Sequence, residues 1–479
     1  MKNIYLTFLT FLLVASVNAQ QMALDIDPNN SSDPVAFSNI GGDFYVTASV
    51  NGDNELLKIT NNGGVYTSEL ISVNGTSGSS NPGKKVVANN KLYFPAIAAN
   101  GYSSLFEYNG TNLIDHTPGF ADKRNPQNLI VVNGKIYFSG TLSATQSRRY
   151  LYVFDESANP KVSLINISGM PSIPSTSLSF APSNFVSVGN ILYFTATHDS
   201  GNIRLFYLNS TDGTSGHINN NSLADANFLF AYGSDIYLRG KLNGSTTDEF
   251  LKVDTQNGNV ISVLPNNPQV PINSTFTGHA NVLYYKTNFN GSNEGLGIYN
   301  LNTNTFSFKN TAPNNSQIDY ITKYNGKIYF SSFFPGSDKE LAEYNPNTDV
   351  ITQIEVNNGA LGSSPSWLYV FENKLFFGAA GGNGAGRELW VYDFNALSVN
   401  DVVLKNISIY PNPVKESFLL TAKDQISIDR VDLINIHGQL VKSFSRIPNV
   451  YDIVELSQGV YFVNIETDRG NSTIKIIKE

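Results

Sequence analysis

Asn325-Gly326-Lys327-Ile328-Tyr329-Phe330-Ser331 repeats, letter for letter, the earlier Asn133-Gly134-Lys135-Ile136-Tyr137-Phe138-Ser139. Asn-Gly between two apolar runs is a strong short hairpin signal, because a type I′ turn needs positive φ at both central residues. Looser copies begin at Gly41, Asn89, Gly189, Gly233, Ala280 and Glu372, which makes eight in all. Their spacing of about 45 to 55 residues is that of propeller blades. Most copies keep Gly or Asn in the turn. Ala280 and Glu372 depart, so turns of another type are expected there.

A second phrase follows each copy and is clearest in Glu388-Leu389-Trp390-Val391-Tyr392-Asp393. Its relatives include Glu55 to Thr60, Ser104 to Asn109, Glu249 to Asp254 and Glu340 to Asn345. The closing Asn or Asp suits a turn, since its side chain bonds the backbone ahead and tolerates left-handed geometry. One apolar run precedes each hairpin, as in Trp367 to Phe371, and another follows the second phrase, as in Ile351 to Val356. Four short strands per unit predict an all-β β-propeller of eight four-stranded blades, with seven as the alternative. The eighth unit lacks a convincing fourth strand, while Met22 to Ile26 is a spare one. We expect that segment to complete the last blade and lock the ring. The abundant aromatics, 25 Tyr and 30 Phe, would then fill the wedges between twisted sheets.

These copies resemble kelch-type bacterial propeller repeats, and the Glu388 to Asp393 phrase is similar to the Glu-Leu-Trp repeats of bacterial surface propellers. The resemblance runs from about Met22 to Asp393. The paired glycines of kelch hairpins are absent from most copies, and only Gly381-Gly382 approaches them. What the resemblance implies is the fold.

Leu404 to Glu479 carries different phrases. Ile407 to Pro413 is a strand running into a proline-set turn. Val431 to Ile436 and Leu440-Val441 flank His437-Gly438-Gln439 as a hairpin, and Thr473 to Lys478 closes the segment. This strand density predicts a small β-sandwich. The segment is similar to the type A C-terminal sorting domain of the type IX secretion system of certain Gram-negative bacteria. The match lies in Tyr410-Pro411-Asn412-Pro413, Gly438, the Gly459-Val460-Tyr461 run, Lys475 and Lys478. It implies the type IX secretion machinery as a partner and removal of the module at or after export.

At the other end, Met1 to Ala19 reads as a signal peptide. Lys2 gives the positive start, Ile4 to Val17 the apolar run, and Val17-Asn18-Ala19 the small residues before cleavage, leaving Gln20 first. The expected layout is a signal peptide over 1–19, a propeller over 20–395, a linker over 396–403 and the sorting domain over 404–479. No later stretch is long and apolar enough to span a bilayer as a helix, so no transmembrane segment is expected in the mature chain.

Composition sets limits on chemistry. A formal net charge of −8 without a basic block argues against nucleic-acid binding, which needs clustered Lys and Arg. The absence of cysteine removes disulfides, thiolate ligands and Cys nucleophiles. His116, His198, His217, His279 and His437 stand alone in sequence, with no metal-ligand spacing. Asp25, Asp27 and Asn29 alternate like the start of a calcium loop, but Asn30 and Ala36 occupy the places of its Gly and bidentate Glu, so turn chemistry is the preferred reading. The glycines from Gly381 to Gly386 lack the Lys-Ser/Thr and helix of a phosphate cradle. No catalytic, metal or cofactor residue is assigned. The loops between second and third strands (Asn51 to Asn54, Asn243 to Thr247, Asn290 to Asn293, Gly381 to Gly386) and those joining blades (Asn74 to Lys84, His116 to Gln127, Ser168 to Ser183) share one rim, where propellers bind. The resulting expectation is a secreted or cell-surface, non-catalytic binding protein whose loops engage extracellular glycan or protein. A polysaccharide-active hydrolase or lyase with residues drawn from several blades, and a structural surface protein, are the alternatives.

Overall fold

The computed structural model describes residues 20–75, 78–117, 124–143, 146–171, 179–218, 223–242, 244–263, 270–289, 293–312, 316–356, 362–381, 386–393, 407–422, 428–435, 440–444, 450–467 and 470–479. It separates into two compact units, one over 21–391 and one from Tyr392 onward.

The larger unit is a β-propeller. Its described residues form eight four-stranded sheets, here blades 1 to 8: 35–71, 86–115, 127–164, 183–218, 224–262, 271–309, 319–354 and 366–392. In blades 1 to 7 the strands pair in chain order and antiparallel, as tight hairpins dictate. The first strand of each blade touches the first strand of the next, and that of blade 8 touches that of blade 1. These eight edge strands therefore face one another around the axis. The fourth strand of blade 8 is Gln20–Leu24, which lies beside Arg387–Tyr392. It is the spare N-terminal segment, shifted two residues earlier than expected.

The opening heptapeptide behaves as a strand covered on both faces. Ile328, Tyr329 and Phe330 are all fully buried, as are Ile136 and Phe138. Successive side chains on a strand point to opposite faces, so three buried in a row means a neighbour on either side. Aromatic rings supply much of that cover. Phe44 of blade 1 stacks on Phe371 of blade 8 at 5.2 Å and meets Phe376 at 4.8 Å. Phe250 of blade 5 packs on Tyr285 of blade 6 at 4.9 Å.

The hairpins correct one expectation. Asn133-Gly134 and Asn325-Gly326 have positive φ at both positions, but so do Ala280-Asn281 (51° and 60°) and Glu372-Asn373 (46° and 54°). Burial of the flanking strands forces the same turn on residues that do not favour it. Where Gly leads, at Gly41, Gly189 and Gly233, only that first residue is left-handed, the type II′ pattern.

In the C-terminal unit, one sheet is made of Ile407–Tyr410, Ser417–Ala422 and Tyr451–Asp452. The other is made of Leu440–Phe444, Ile428–Asn435, Gly459–Thr467 and Gly470–Lys478. Ile407, Phe418 and Tyr451 from the first share a core with Val431, Leu433, Val463 and Ile476 from the second. This is the β-sandwich. The linker expected at 396–403, the cleavage residue Ala19, and Gly438 and His437 lie outside the described residues.

Candidate functional site

The first strands carry a recurrent irregularity. In blades 1, 3, 4, 7 and 8 the pairing with the second strand slips once by one residue, for instance between Asp319 and Thr322 and between Ser366 and Tyr369, and in blade 5 it slips twice, with Asp225 left-handed at the additional slip. The extra residue is left-handed in each: Ala36, Asn128, Asn184, Phe228, Tyr320 and Trp367, with φ between 51° and 57°. A bulge of this kind re-aims its side chain. Because first strands of neighbouring blades adjoin, the bulge residues face one another around the axis. Asn184 donates a hydrogen bond to Asn227 of the next blade (2.9 Å), beside a cleft of about 240 Å³ lined by Ser183, Thr195, Thr197 and Ile203. Tyr320 and Trp367, from blades 7 and 8, come to a ring-centroid distance of 6.2 Å.

Ala and Asn are small enough, or polar enough, to sit in the left-handed region at modest cost. Bulky aromatics there are outliers. Trp367 and Tyr320 nonetheless remain 37% and 36% exposed, so core packing does not account for their place. Their surroundings are charged and fixed. The Arg387 guanidinium holds the carbonyl of Ser364 (2.9 Å), the hydroxyl of Ser366 (2.8 Å) and, through Nε, the Asp33 carboxylate (3.0 Å). It thereby ties the strand bearing Trp367 to blade 1. Asp319 bridges Lys339 (2.6 Å) and Lys286 of blade 6 (3.3 Å). Burial pushes the Tyr320 phenol above its ordinary range, and the Asp319 charge adds to this while Arg387 opposes it. Its hydroxyl is therefore neutral at physiological pH. The result is a two-ring platform whose Tyr320 phenol lies within reach of the charges of Asp319 and Arg387.

Residues that look catalytic by burial have a different task. Glu340 accepts from the backbone N–H of Ser363 (2.8 Å), its hydroxyl (2.5 Å) and the N–H of Val356 (3.2 Å). Glu388 accepts in the same way from Ser32 (3.0 and 2.5 Å) and from Ile26 (2.9 Å). Glu55 takes the N–H of Ser80 at 3.1 Å and also its hydroxyl. The Glu of the Glu-Leu-Trp phrase is thus a clasp between one blade and the start of the next. Burial raises Glu340 and Glu388 against the lowering effect of these hydrogen bonds.

Other expectations fare variously. Asp27 accepts from the N–H groups of Asn29 (3.2 Å) and Asn51 (2.8 Å), which is turn chemistry. The histidines do not all stand alone: His116 pairs with Glu107 (2.8 Å), and the His198 and His217 rings lie 4.5 Å apart. Among the described residues no group of three or more His, Cys, Asp or Glu is placed to hold a metal. Of the polar loops, Asn243, 290–292 and 382–385 lie outside the described residues, as do 118–123 and 172–178. The bulge residues were missed. For four of the six the signal is a Pro two residues before: Pro34-Val35-Ala36, Pro126-Gln127-Asn128, Pro182-Ser183-Asn184 and Pro365-Ser366-Trp367; Phe228 and Tyr320 follow Ala226 and Ile318 and carry no such mark.

In the C-terminal unit the expected motif residues converge. The Asn412 side chain donates to the Lys475 carbonyl (2.9 Å) and accepts from the Ile477 N–H (3.0 Å). Val414 continues the pairing with Ile477 and Glu479. The Tyr410-Pro411 and Asn412-Pro413 peptides are cis, Tyr410 is exposed, and Lys478 is buried. Tyr461 donates its hydroxyl to the Ser457 carbonyl (2.9 Å), and Gly459 pairs with Lys478. The segment matches the secretion system C-terminal sorting domain family over residues 408–479. The C-terminal unit is a sorting domain of the type IX secretion system. A sorting domain of this kind implies export to the cell surface or the medium.

No curated protein matches the sequence. Among solved structures, the chain is similar to PorZ, an essential bacterial surface component of the type IX secretion system of Porphyromonas gingivalis, at 12% identity over 92% of this chain and 64% of that one, with a TM-score of 0.45. It is also similar to a puromycin-hydrolyzing peptidase of Mycobacterium tuberculosis (9%, 73% and 57%, 0.46). A third likeness is to the β-propeller domain of the Trilobed protease from Pyrococcus furiosus (12%, 68% and 98%, 0.44). The chain therefore spans less than two thirds of the length of the first two.

Proposed function

We propose that this protein is an exported, non-catalytic binding protein whose propeller holds a glycan at the Tyr320–Trp367 platform. The observation that carries this reading is the pair of exposed, left-handed aromatics from adjacent blades. A pyranose ring offers an apolar C–H face to such rings and a rim of hydroxyls to the Tyr320 phenol and the charges near it. Aromatic side chains combine a large apolar surface with a polar edge and suit such ligands. Arg387 fixes the platform before a ligand arrives, which limits the entropy lost on binding.

A binding role is favoured over hydrolysis because the two carboxylates raised by burial, Glu340 and Glu388, spend their oxygens on inter-blade clasps. In the proposed route the signal peptide is cleaved after Ala19, the chain crosses the periplasm, and the sorting domain delivers it outward. Cleavage there leaves Gln20, the first residue of the closing strand, intact.

The test is a glycan array probed with the wild-type protein and with Trp367→Ala and Tyr320→Ala. The reading expects a restricted set of glycans retained by the wild type and lost, at least tenfold, in both variants. Retention unchanged by either substitution would place any glycan site elsewhere.

A further inference from the structure

The cleft of about 240 Å³ between blades 4 and 5 is open because of one residue. In blade 3 the third strand begins with Arg149, opposite Thr141, and in blade 4 Ile203 holds the same register opposite Thr197. The Arg149 guanidinium fills its seam. It donates to the Ser139 hydroxyl (3.0 Å) and carbonyl (2.8 Å) and to the Asn125 carbonyl (2.5 Å). Arg387 does the same in blade 8, on Ser366 and Ser364. The blade 4 counterparts of Ser139 and Asn125 are Thr195 and Ala181, the latter again just before a Pro, and both line the cleft. Ile203 is shorter, apolar and 41% exposed, so the space an arginine fills elsewhere stays empty of side chain here.

Hydrogen bonds fix the polar groups around that space. Asn227 Oδ1 accepts from the Phe228 N–H (3.0 Å) and from Asn184 Nδ2 (2.9 Å), whose other N–H goes to the Thr195 hydroxyl (2.8 Å). This chain sets the orientation of both amides. Left over are an acceptor, Asn184 Oδ1, a donor, the Asn227 amino group, and the Thr197 hydroxyl, which is both. None of the three has a partner among the described residues, and all are reached by water. The rest of the lining is Ser183, alanine and Ile203, with no charged side chain.

We propose that this cleft is a second sugar subsite, distinct from the Tyr320–Trp367 platform, which takes one neutral pyranose of the same glycan; the inference rests on the glycan-binding reading above. A sugar hydroxyl both donates and accepts, so neighbouring hydroxyls engage Asn184 Oδ1 and the Asn227 amino group together, while Ile203 walls the C–H face. A guanidinium or ammonium ligand would meet the Asn227 donor and no carboxylate. An anionic sugar would lose water around its charge and gain no partner for it. Asn184 holds in blade 4 the bulge position that Tyr320 and Trp367 hold in blades 7 and 8. Cleft and platform therefore lie at one level of the axial mouth, three blades apart, and a ligand that engages both is a chain of several sugars.

The experiment is isothermal titration of the full-length protein with neutral gluco- and manno-oligosaccharides, from disaccharide to octasaccharide, and with oligogalacturonates of matching length. Affinity for a neutral chain is expected to rise at least tenfold once the chain reaches from platform to cleft, and oligogalacturonates show no such rise. Ile203→Arg, which refills the cleft as Arg149 and Arg387 fill theirs, brings long neutral chains down to the affinity of short ones. Asn184→Ala, which places in blade 4 the residue blade 1 carries as Ala36, does the same. Both variants melt as the wild type does. Trp367→Ala instead weakens short and long chains alike. Binding without the rise, a rise that survives Ile203→Arg, or an equal rise with oligogalacturonates overturns the subsite and leaves the platform standing. Failure of every chain to bind the wild type overturns both.

Discussion

At the residue scale, two kinds of position combine burial or strain with charge. Trp367 and Tyr320 sit at φ near 56°, where a side chain with a Cβ costs roughly 1–2 kcal/mol. Blades 3 and 4 place Asn in the same bulge, which shows that the fold does not require an aromatic there. The clasp carboxylates are the second kind. Removing the Ser363 hydroxyl leaves a buried carboxylate short of a partner, and Ser363→Ala is expected to destabilise the propeller by about 1–3 kcal/mol. The clasps also fix a pH dependence. Glu340 and Glu388 hold a proton more tightly when folded than when unfolded, since burial raises both above the ordinary 4.5. Their contribution to stability is therefore complete below about pH 4.5 and falls as pH rises through their folded-state values. Urea unfolding at pH 4.5 and 7 measures this. The Glu340→Gln/Glu388→Gln variant is expected to lose less stability across that interval than the wild type, and an equal loss in both would show that the clasps do not titrate there.

At the scale of elements, the ring depends on a strand supplied from the far end of the chain. Gln20–Leu24 completes blade 8, and Ile26 and Ser32 just beyond it are clasped by Glu388. The aromatic contact of Phe44 with Phe371 and Phe376 then seals blade 1 against blade 8. Removing residues 20–24 opens the edge of Arg387–Tyr392 and leaves a row of unpaired backbone groups. Such a truncation is expected to lower the melting temperature and to promote association. Hydrogen exchange should show the loss of protection concentrated in 374–392. An unchanged melt would mean that the ring holds without this strand. In the sorting domain, Asn412 performs a comparable service by bonding the backbone of the final strand at two points.

At the scale of the whole molecule, what was legible in the propeller was whatever repeats, and in the C-terminal unit the single-copy motifs from Tyr410 to Lys478. The Asn-Gly turns, the apolar runs and the Glu-Leu-Trp phrase recur at a steady spacing, and so the strands, their order and the closing segment could be read from them. The platform could not be read, because Tyr320 and Trp367 belong to different units and meet only through the stagger of neighbouring first strands. The same holds for Glu388 with Ser32, and for His198 with His217 across one blade. Ala280 and Glu372 misled for the opposite reason: tertiary packing overrode local turn preference. The heptapeptide that announces the repeat proves to be buried structure, while the residue that varies at the bulge marks the proposed site. Export is a property of the whole chain. Deleting residues 404–479 is expected to strand the propeller in the periplasm, and unchanged appearance in the medium would refute that route.

The chain has only two Trp residues, and Trp390 lies in the third strand of blade 8. In a Trp390→Phe background Trp367 becomes the sole indole reporter at the proposed site. The decisive measurement is its emission during titration with an oligosaccharide retained on the glycan array. Binding at the platform predicts a saturable blue shift. It also predicts that Trp367→Asn, in the otherwise unaltered protein, abolishes binding while holding or raising stability by about 1 kcal/mol. Saturable binding by calorimetry with an unmoved Trp367 spectrum, or full affinity in Trp367→Asn, would contradict the account.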